Sequence, residues 1–537
     1  MTLTALTVAV ALTSAAAAAQ HQHPAGHVGD ALGTVKFATS CTEPAQPAFL
    51  RGMALLHSFE FGPAIDSFTA AAKTDPGCGI AYWGVAVSRW GNPFAAGIKP
   101  PAVTKGGAAA IEQARAAGAR TDRERAYIEA AALLFTHADT IGQRNRVLAY
   151  RDAMKKLAAQ YADDAEASAF YALALASSQD PTDMTYSSLI EAGAILEKLA
   201  PTQPDHPGFV HYVIHAYDAP PLASRGLDAA RRYAKVAPSA PHALHMPSHT
   251  FTRLGYWQDS IDTNILSAEA ARKMNAPAEE LHAMDYETYA FLQLAQDDAA
   301  KRMVTELAEG RERFRSGGTA SAAPPMAAAY ASAAIPARYA LERGAWAEAA
   351  KLELNSTPFA FADAVTWFAR GIGAARSNDV EGARGAVTSL EQLRAKLEQA
   401  GEAYWTEQVT IQKLGVSAWL ATAEGRKDAA IALMREAADR EDKTEKNAVT
   451  PGPIAPAREQ LGDMLLAMNQ PAEALAAYEI TLKKEPNRLR ALLGAASAAA
   501  AAKNSDAAQR YRKAALDLAA KAQPGRPELD ALKGAGH

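Results

Sequence analysis

Residues 49–78 read "FLRGMALLHSFEFGPAIDSFTAAAKTDPGC", and this stretch decides the fold. Small, aromatic and proline residues stand at fixed offsets in it: Gly52, Ala64, Phe68, Ala71 and Pro76. Residues 460–487, "QLGDMLLAMNQPAEALAAYEITLKKEPN", repeat these offsets near the other end of the 537-residue chain with Gly462, Ala474, Tyr478, Thr481 and Pro486. Internal repetition with apolar residues at helical spacing predicts a series of paired helices built from one recurring unit.

The spacing resembles the tetratricopeptide repeat, a pair of antiparallel helices about 34 residues long. In that family, small residues let the two helices cross closely, and the proline ends the second helix. Weaker copies around Gly371 and Ala418 extend the resemblance over most of residues 45–520. It implies an all-α fold, a right-handed α-solenoid of helix-turn-helix repeats. The composition agrees, because the chain contains only 7% aromatic residues and shows no convincing strand pattern.

Composition divides the chain into segments. We predict a signal peptide (1–19), an N-terminal exported segment (20–44), a first repeat array (45–315), a loop (316–326), further repeat-like helices (327–438), a C-terminal repeat pair (459–522) and a tail (523–537). Residues 439–458 join a charged run to a proline-rich stretch. They are interpreted either as a solvated linker or as a lid that folds across the groove.

The first twenty residues, "MTLTALTVAVALTSAAAAAQ", form an apolar run that ends in small residues. This pattern predicts a secretory signal cleaved near Ala19 and a periplasmic or secreted protein without a stable membrane span; the alternative is an N-terminal membrane anchor. In an exported chain, Cys41 and Cys78 are predicted to form a disulfide, the alternative being two separate buried thiols. The net charge of −4 gives no indication of the positively charged surface that nucleic-acid binding requires.

Two short stretches, "HYVIHAYD" (211–218) and "PHALHMPSH" (241–249), contain five of the thirteen histidines. In tetratricopeptide arrays the second, fifth, ninth and twelfth positions of each first helix line the concave surface. The resemblance places His242, His245 and His249 at the first three of these positions. On the preceding repeat it places His211, His215 and Asp218 at the last three. Helical geometry supports this independently, because residues three or four apart have Cβ atoms about 5–6 Å apart.

Histidine pairs at this spacing are typical ligands of first-row metals. We therefore predict that a transition metal ion, copper, zinc or iron, is bound by His211, His215, His242, His245 and His249. The candidates for orienting a histidine or moving a proton are Asp218, Asp285 and His282, with Glu287 as a further carboxylate. The predicted groove-lining residues are Tyr212, Tyr217, Tyr286, Tyr289 and Trp257. His57 and Glu60 either serve the groove or cap the first helix, and His206 has no local partner.

Three functions remain open. The first is a metal-dependent hydrolase or oxidase, and the second is a scaffold or adaptor that binds a peptide or an exported protein along the groove. The third is metal storage or delivery, in which the N-terminal histidines His21, His23 and His27 would exchange metal with the groove. A metal-free pocket or a purely structural polar network is the alternative to all metal binding. The chain also resembles long exported bacterial proteins of this superfamily that share both histidine stretches, which implies no particular reaction.

Overall fold

The computed structural model describes residues 31–95 and 97–534, so the predicted signal peptide and the His21–His27 cluster lie outside the described residues. The described residues form one folded unit. Its described part is helical and contains no β-strand. The all-α prediction is therefore confirmed.

The helices follow one another with short connections. They are α1 (Gln46–His57), α2 (Phe61–Thr74), α3 (Gly79–Trp90), α4 (Pro101–Ala117), α5 (Asp122–Ala132), α6 (Gln143–Gln160), α7 (Ala165–Ser177), α8 (Ser187–Leu199), α9 (Pro207–Ala216), α10 (Leu227–Val236), α11 (Pro241–His245), α12 (Pro247–Arg253), α13 (Trp257–Lys273), α14 (Pro277–Gln293), α15 (Asp297–Arg315), α16 (Pro325–Glu342), α17 (Trp346–Ala349), α18 (Ala360–Arg376), α19 (Val380–Gln399), α20 (Ala403–Ala423), α21 (Lys427–Asp442), α22 (Ala457–Ala467), α23 (Pro471–Lys484), α24 (Leu489–Ala501), α25 (Ser505–Leu518) and α26 (Pro527–Gly534). Short 3₁₀ turns lie at Glu43–Ala45, Ala200–Thr202 and Ala223–Gly226.

The small residues of the repeat lie where two helices cross. A Cβ atom added to Gly52 on α1 would lie 2.8 Å from the Phe68 ring on α2, and one added to Gly462 on α22 would lie 2.8 Å from the Tyr478 ring on α23. Only glycine fits at such an approach, because there is no room for a side chain. The packing of these two pairs matches the predicted tetratricopeptide-type α-solenoid.

The turn inside most helix pairs contains one residue with left-handed backbone. It is usually glycine or asparagine, as at Gly255 (φ 69°), Asn378 (φ 61°), Gly425 (φ 77°) and Asn469 (φ 59°). These residue types adopt positive φ at little cost. In the first pair this position is Phe59, with φ 57°. An aromatic residue there is unusual.

The local structure differs from the sequence expectation in three places. The helix expected from Pro241 is split into α11 and α12, because Pro247 has no N–H to bond back to the preceding turn. The predicted tail contains α26, which is anchored by Arg526 bonding to Asp297 and by buried Leu529. Asp218, predicted at a helical groove position, lies two residues beyond the end of α9.

Cys41 and Cys78 form a disulfide, which ties the segment before α1 to the start of α3. No helix in the described ranges is both long enough and apolar enough to cross a membrane.

Candidate metal centre

Six histidines from four neighbouring helices form one buried cluster. His211 and His215 come from α9, His242 and His245 from α11, His249 from α12 and His282 from α14. Their relative exposures run from 0% to 6%. The structure thus brings together all five predicted ligands and adds His282, which the sequence had assigned to proton transfer.

The first histidine group consists of His211, His215 and His242, which can each direct one nitrogen to within 4.8 Å of the others. In all three, the buried Nε2 atom has no hydrogen-bond partner. His211 donates from Nδ1 to the backbone carbonyl of His57 (2.7 Å), so its proton is on Nδ1 and its Nε2 carries a lone pair. A buried imidazole nitrogen without a partner is costly, unless a cation or a ligand satisfies it.

The second histidine group consists of His245, His249 and His282, again with one nitrogen each within 4.8 Å. His245 Nδ1 lies 2.7 Å from Asn264 Oδ1, and His249 Nδ1 lies 2.9 Å from Asp218 Oδ2. Both acceptors fix the proton on Nδ1, so the two Nε2 lone pairs face each other at 3.1 Å. Two nitrogen ligands of one tetrahedral zinc ion would lie about 3.3 Å apart. The separation is thus close to that of two ligands of one ion.

Burial favours the neutral form of all six histidines. Burial lowers the pKa of each ring, to about 3 for His245, and neighbouring rings lower it further in all of them except His249. A neutral imidazole is the form that binds metal. The cluster therefore presents uncharged nitrogen donors in a protein interior.

A small cavity of about 30 Å³ lies between the two groups. His215 and His242 of the first group and His249 and His282 of the second line it, together with Met246. A volume of this size holds about two water molecules. The space between the groups is therefore suited to a small bridging ligand.

Carboxylates surround the cluster and act on the histidines. Burial opposes the ionisation of Asp218, but the charges of Lys446 and Arg253 and the hydrogen bond from His249 outweigh it, so the pKa of Asp218 is held well below its usual range. Glu279 Oε1 lies 3.0 Å from His242 Nδ1. Glu60 accepts a hydrogen bond from the backbone N–H of His242, and burial followed by the charge of Glu279 raises the pKa of Glu60 to about 8.

Sequence reasoning missed Glu279 and Asn264. One local signal was available for each: Glu279 precedes His282 by one helical turn, and Asn264 replaces the aromatic residue that the repeat prefers. Phe59 and Phe94 were also missed. The Phe94 ring stacks on His215 at 4.0 Å, and the Phe59 ring packs 4.5 Å from the ring of His211.

Two predicted carboxylates, Asp285 and Glu287, have other partners than the six histidines. Asp285 is buried, but its Oδ1 accepts a hydrogen bond from Arg338 Nε at 2.8 Å. Glu287 faces Arg272, Glu306 and Glu269, and burial raises its pKa to about 8. Both residues lie on α14 as the helical spacing predicts, but their carboxylates interact with other side chains than the histidines.

Of the predicted lining residues, Tyr286 contacts the second group, with its hydroxyl 3.3 Å from His249 Nε2. Tyr212 bonds instead to His57 (2.9 Å). The others have partners elsewhere: Tyr217 bonds to Glu197, Tyr289 accepts from Arg488, and Trp257 donates to the carbonyl of Asn487. These three do not line the cluster.

A third buried group, His57, Glu166 and His206, lies beside the first. Glu166 bonds to His57 Nε2 (2.9 Å) and to His206 Nε2 (2.8 Å). His57 Nδ1 faces Tyr212, and His206 Nδ1 accepts from the N–H of Phe209 (3.3 Å). Because each ring nitrogen already has a partner, this group forms a closed polar network rather than an open ligand set. His206, which had no partner in the sequence, belongs to it.

Residues 443–456, here named the covering segment, connect α21 to α22 and pack over the second group. Val449, Thr450 and Ile454 are buried. Lys446 lies 3.6 Å from Asp218, and Tyr286 donates towards the carbonyls of Ala448 and Thr450. Arg338 donates to the carbonyls of Gly452 (2.8 Å) and Pro453 (3.0 Å). These contacts fit the lid alternative rather than a solvated linker.

No family model matches the chain, and no curated protein does. Solved structures with some likeness include the APC/C hetero-tetramer Cut9–Hcn1 (TM-score 0.40, 11% identity, 93% of this chain and 78% of that one) and the human IFIT1 dimer with m7Gppp-AAAA (TM-score 0.36, 11% identity, 82% and 90%). The P58(IPK) TPR domain gives TM-score 0.22 and 13% identity over 86% of this chain and 99% of that one. Likeness at this level assigns no function. By its repeat spacing and helix crossings, the chain resembles tetratricopeptide-repeat proteins.

Proposed function

We propose that this protein binds a pair of transition metal ions, one in each histidine group. The observation that carries the proposal is the set of buried nitrogens without partners: Nε2 of His211, His215 and His242. Hydrogen-bonded Nδ1 atoms fix the rings of His211, His242, His245 and His249, as metal-binding histidines usually require. By contrast, the His57–Glu166–His206 group has every ring nitrogen partnered and is not included.

The donor set favours copper. Six neutral imidazoles, with no carboxylate in either group, suit copper and zinc, whereas magnesium, calcium and manganese prefer oxygen and non-haem iron commonly takes a carboxylate. Met246 also lines the cavity between the groups, and a thioether favours Cu(I). Bound copper would supply oxygen-dependent oxidation, while zinc would supply an activated water for hydrolysis.

The covering segment bears on the scaffold alternative. An adaptor of this type would bind its peptide along the surface where the histidines lie. In this chain that surface is already covered by residues 443–456, whose buried side chains and hydrogen bonds hold them in place. This arrangement supports a sealed site better than an open peptide groove.

We also propose that the protein is exported from the cytoplasm. A disulfide such as Cys41–Cys78 persists in an oxidising compartment and is rare in the cytosol. It supports a periplasmic or secreted location, as the apolar N-terminal run predicts.

The test is elemental analysis of the chain purified without a histidine tag. We expect about two equivalents of copper or zinc in the wild type, and about one in His211→Ala and in His245→Ala. His137→Asn is the matched control, because His137 is exposed and has positive φ, which asparagine tolerates. X-ray absorption on the wild type should show nitrogen neighbours at about 2.0 Å. Less than a tenth of an equivalent, with no uptake on titration, would overturn the proposal.

A further inference from the structure

An apolar pocket opens beside the first histidine group. Its floor is formed by the buried rings of Phe59, Phe170 and Tyr212, and its rim by the half-buried residues Val147, Tyr150 and Leu173. Ligand sites are typically concave, mostly apolar and supplied with a few polar groups. The pocket has this character and is separate from the cavity between the two histidine groups.

Phe59 forms the wall between this pocket and the histidines. Its ring centroid lies 4.5 Å from that of His211, and 5.5 Å from those of His215 and His242. The same residue lines the pocket. A molecule in the pocket would therefore be separated from the first histidine group by the thickness of one aromatic ring.

The backbone at Phe59 indicates that its ring is required there. Corresponding turns in other helix pairs mostly use glycine or asparagine, such as Gly255 and Asn378, which adopt positive φ easily, and two use Ala295 and Lys503. Phe59 has φ 57° and yet is fully buried. Strain of this kind at a bulky residue is typical of functional positions, where the surrounding packing holds the side chain in place.

Two tyrosines that line the pocket, Tyr150 and Tyr212, carry hydroxyl groups with which a ligand could bond. The Tyr150 hydroxyl has no hydrogen-bond partner in the described residues, and burial raises the pKa of Tyr150 above its usual range. The Tyr212 hydroxyl is bonded to His57 but keeps a free acceptor lone pair. A ligand with a flat apolar ring and one hydroxyl would satisfy Tyr150 and stack among the aromatic rings.

We propose that this pocket binds a small planar aromatic molecule with a hydroxyl group, and that Phe59 is the barrier between this molecule and the first histidine group. Binding in the pocket is independent of metal. The barrier role of Phe59 rests on the proposed function, because it requires a metal ion in the first histidine group.

The probe is p-cresol, titrated calorimetrically into metal-free protein. We expect saturable binding of one molecule, weakened at least tenfold in Val147→Trp, which fills the rim. Val304→Trp is the control, because Val304 is also a half-buried valine on a helix but lines none of the described pockets. Absence of saturable binding, or equal weakening by both variants, would overturn the pocket assignment.

The barrier is tested with copper-loaded protein. We expect p-cresol to change the electron paramagnetic resonance spectrum of Cu(II) in Phe59→Ala but not in the wild type. Phe59→Leu serves instead if the alanine variant does not fold. An unchanged spectrum in a variant that binds p-cresol would overturn the role of Phe59. If the protein binds neither copper nor zinc, the proposed function fails, while the titration of metal-free protein still decides the pocket.

Discussion

His245 and His249 show how residues outside the ligand set decide what a histidine can bind. Asn264 donates from its amide nitrogen to the carbonyl of Ser260 (2.7 Å), so its oxygen faces His245 Nδ1. Histidines three or four residues apart were predictable, because helical spacing is local. Their hydrogen-bond partners were not predictable, because they are distant in sequence. Asn264 lies 19 residues from His245, Asp218 lies 31 residues from His249, and Glu279 lies 37 residues from His242.

Replacing Asn264 by leucine should weaken metal binding without removing a ligand. The variant leaves His245 Nδ1 without an acceptor, so the ring loses its fixed tautomer, and affinity at the second group should fall about 10- to 100-fold. Competition with a chromophoric chelator measures this. Ser267→Ala is the control, because it removes a hydrogen bond from the same helix to the carbonyl of Pro241. Equal losses in both variants would assign the effect to helix packing instead.

At the scale of elements, the helices were predictable from the sequence, but the structure of the segments that connect them was not. Apolar periodicity and the small residues at Gly52 and Gly462 identify the helix pairs, because each pair packs locally. The covering segment carries no such signal. Its composition is charged and proline-rich, and it is ordered by Arg338, which reaches it from 112 to 115 residues away in sequence.

Arg338→Lys should loosen the covering segment while keeping a positive charge beside Asp285. The planar guanidinium of Arg338 bonds at the same time to Asp285, Thr450 and the carbonyls of the segment, and a lysine ammonium cannot make all of these bonds. We expect the metal content to stay near that of the wild type, while an added chelator removes the metal roughly tenfold faster. Stopped-flow chelation measures the rate. Arg343→Lys, at the half-buried end of the same helix, should leave the rate of metal removal unchanged. Identical rates in the wild type and both variants would contradict the role of the covering segment as a lid.

At the scale of the molecule, this chain departs from a simple repeat array, in which each repeat contacts its neighbours. The start of α24 docks on the middle of the chain: Leu489 N–H bonds to Gln293 (3.0 Å), and Arg488 bonds to Tyr289 (3.1 Å). Trp257 reaches the carbonyl of Asn487. The repeat pattern could not predict these contacts, because it specifies only neighbouring packing. They place the C-terminal repeats against the start of α13 and against α14, which carries His282 of the second histidine group.

A matched pair of glycine variants tests this long-range docking. Gly255 and Gly425 both occupy the turn inside a helix pair with positive φ, so alanine at either position costs about 1–2 kcal/mol in backbone strain. A Cβ at Gly255 would also lie 2.3 Å from the backbone oxygen of Pro486, whereas nothing lies within 4 Å of one at Gly425. We therefore expect Gly255→Ala to lower the free energy of urea unfolding by about 1–3 kcal/mol more than Gly425→Ala does. Circular dichroism measures both, and equal losses would show that the C-terminal repeats do not dock on the middle of the chain in solution.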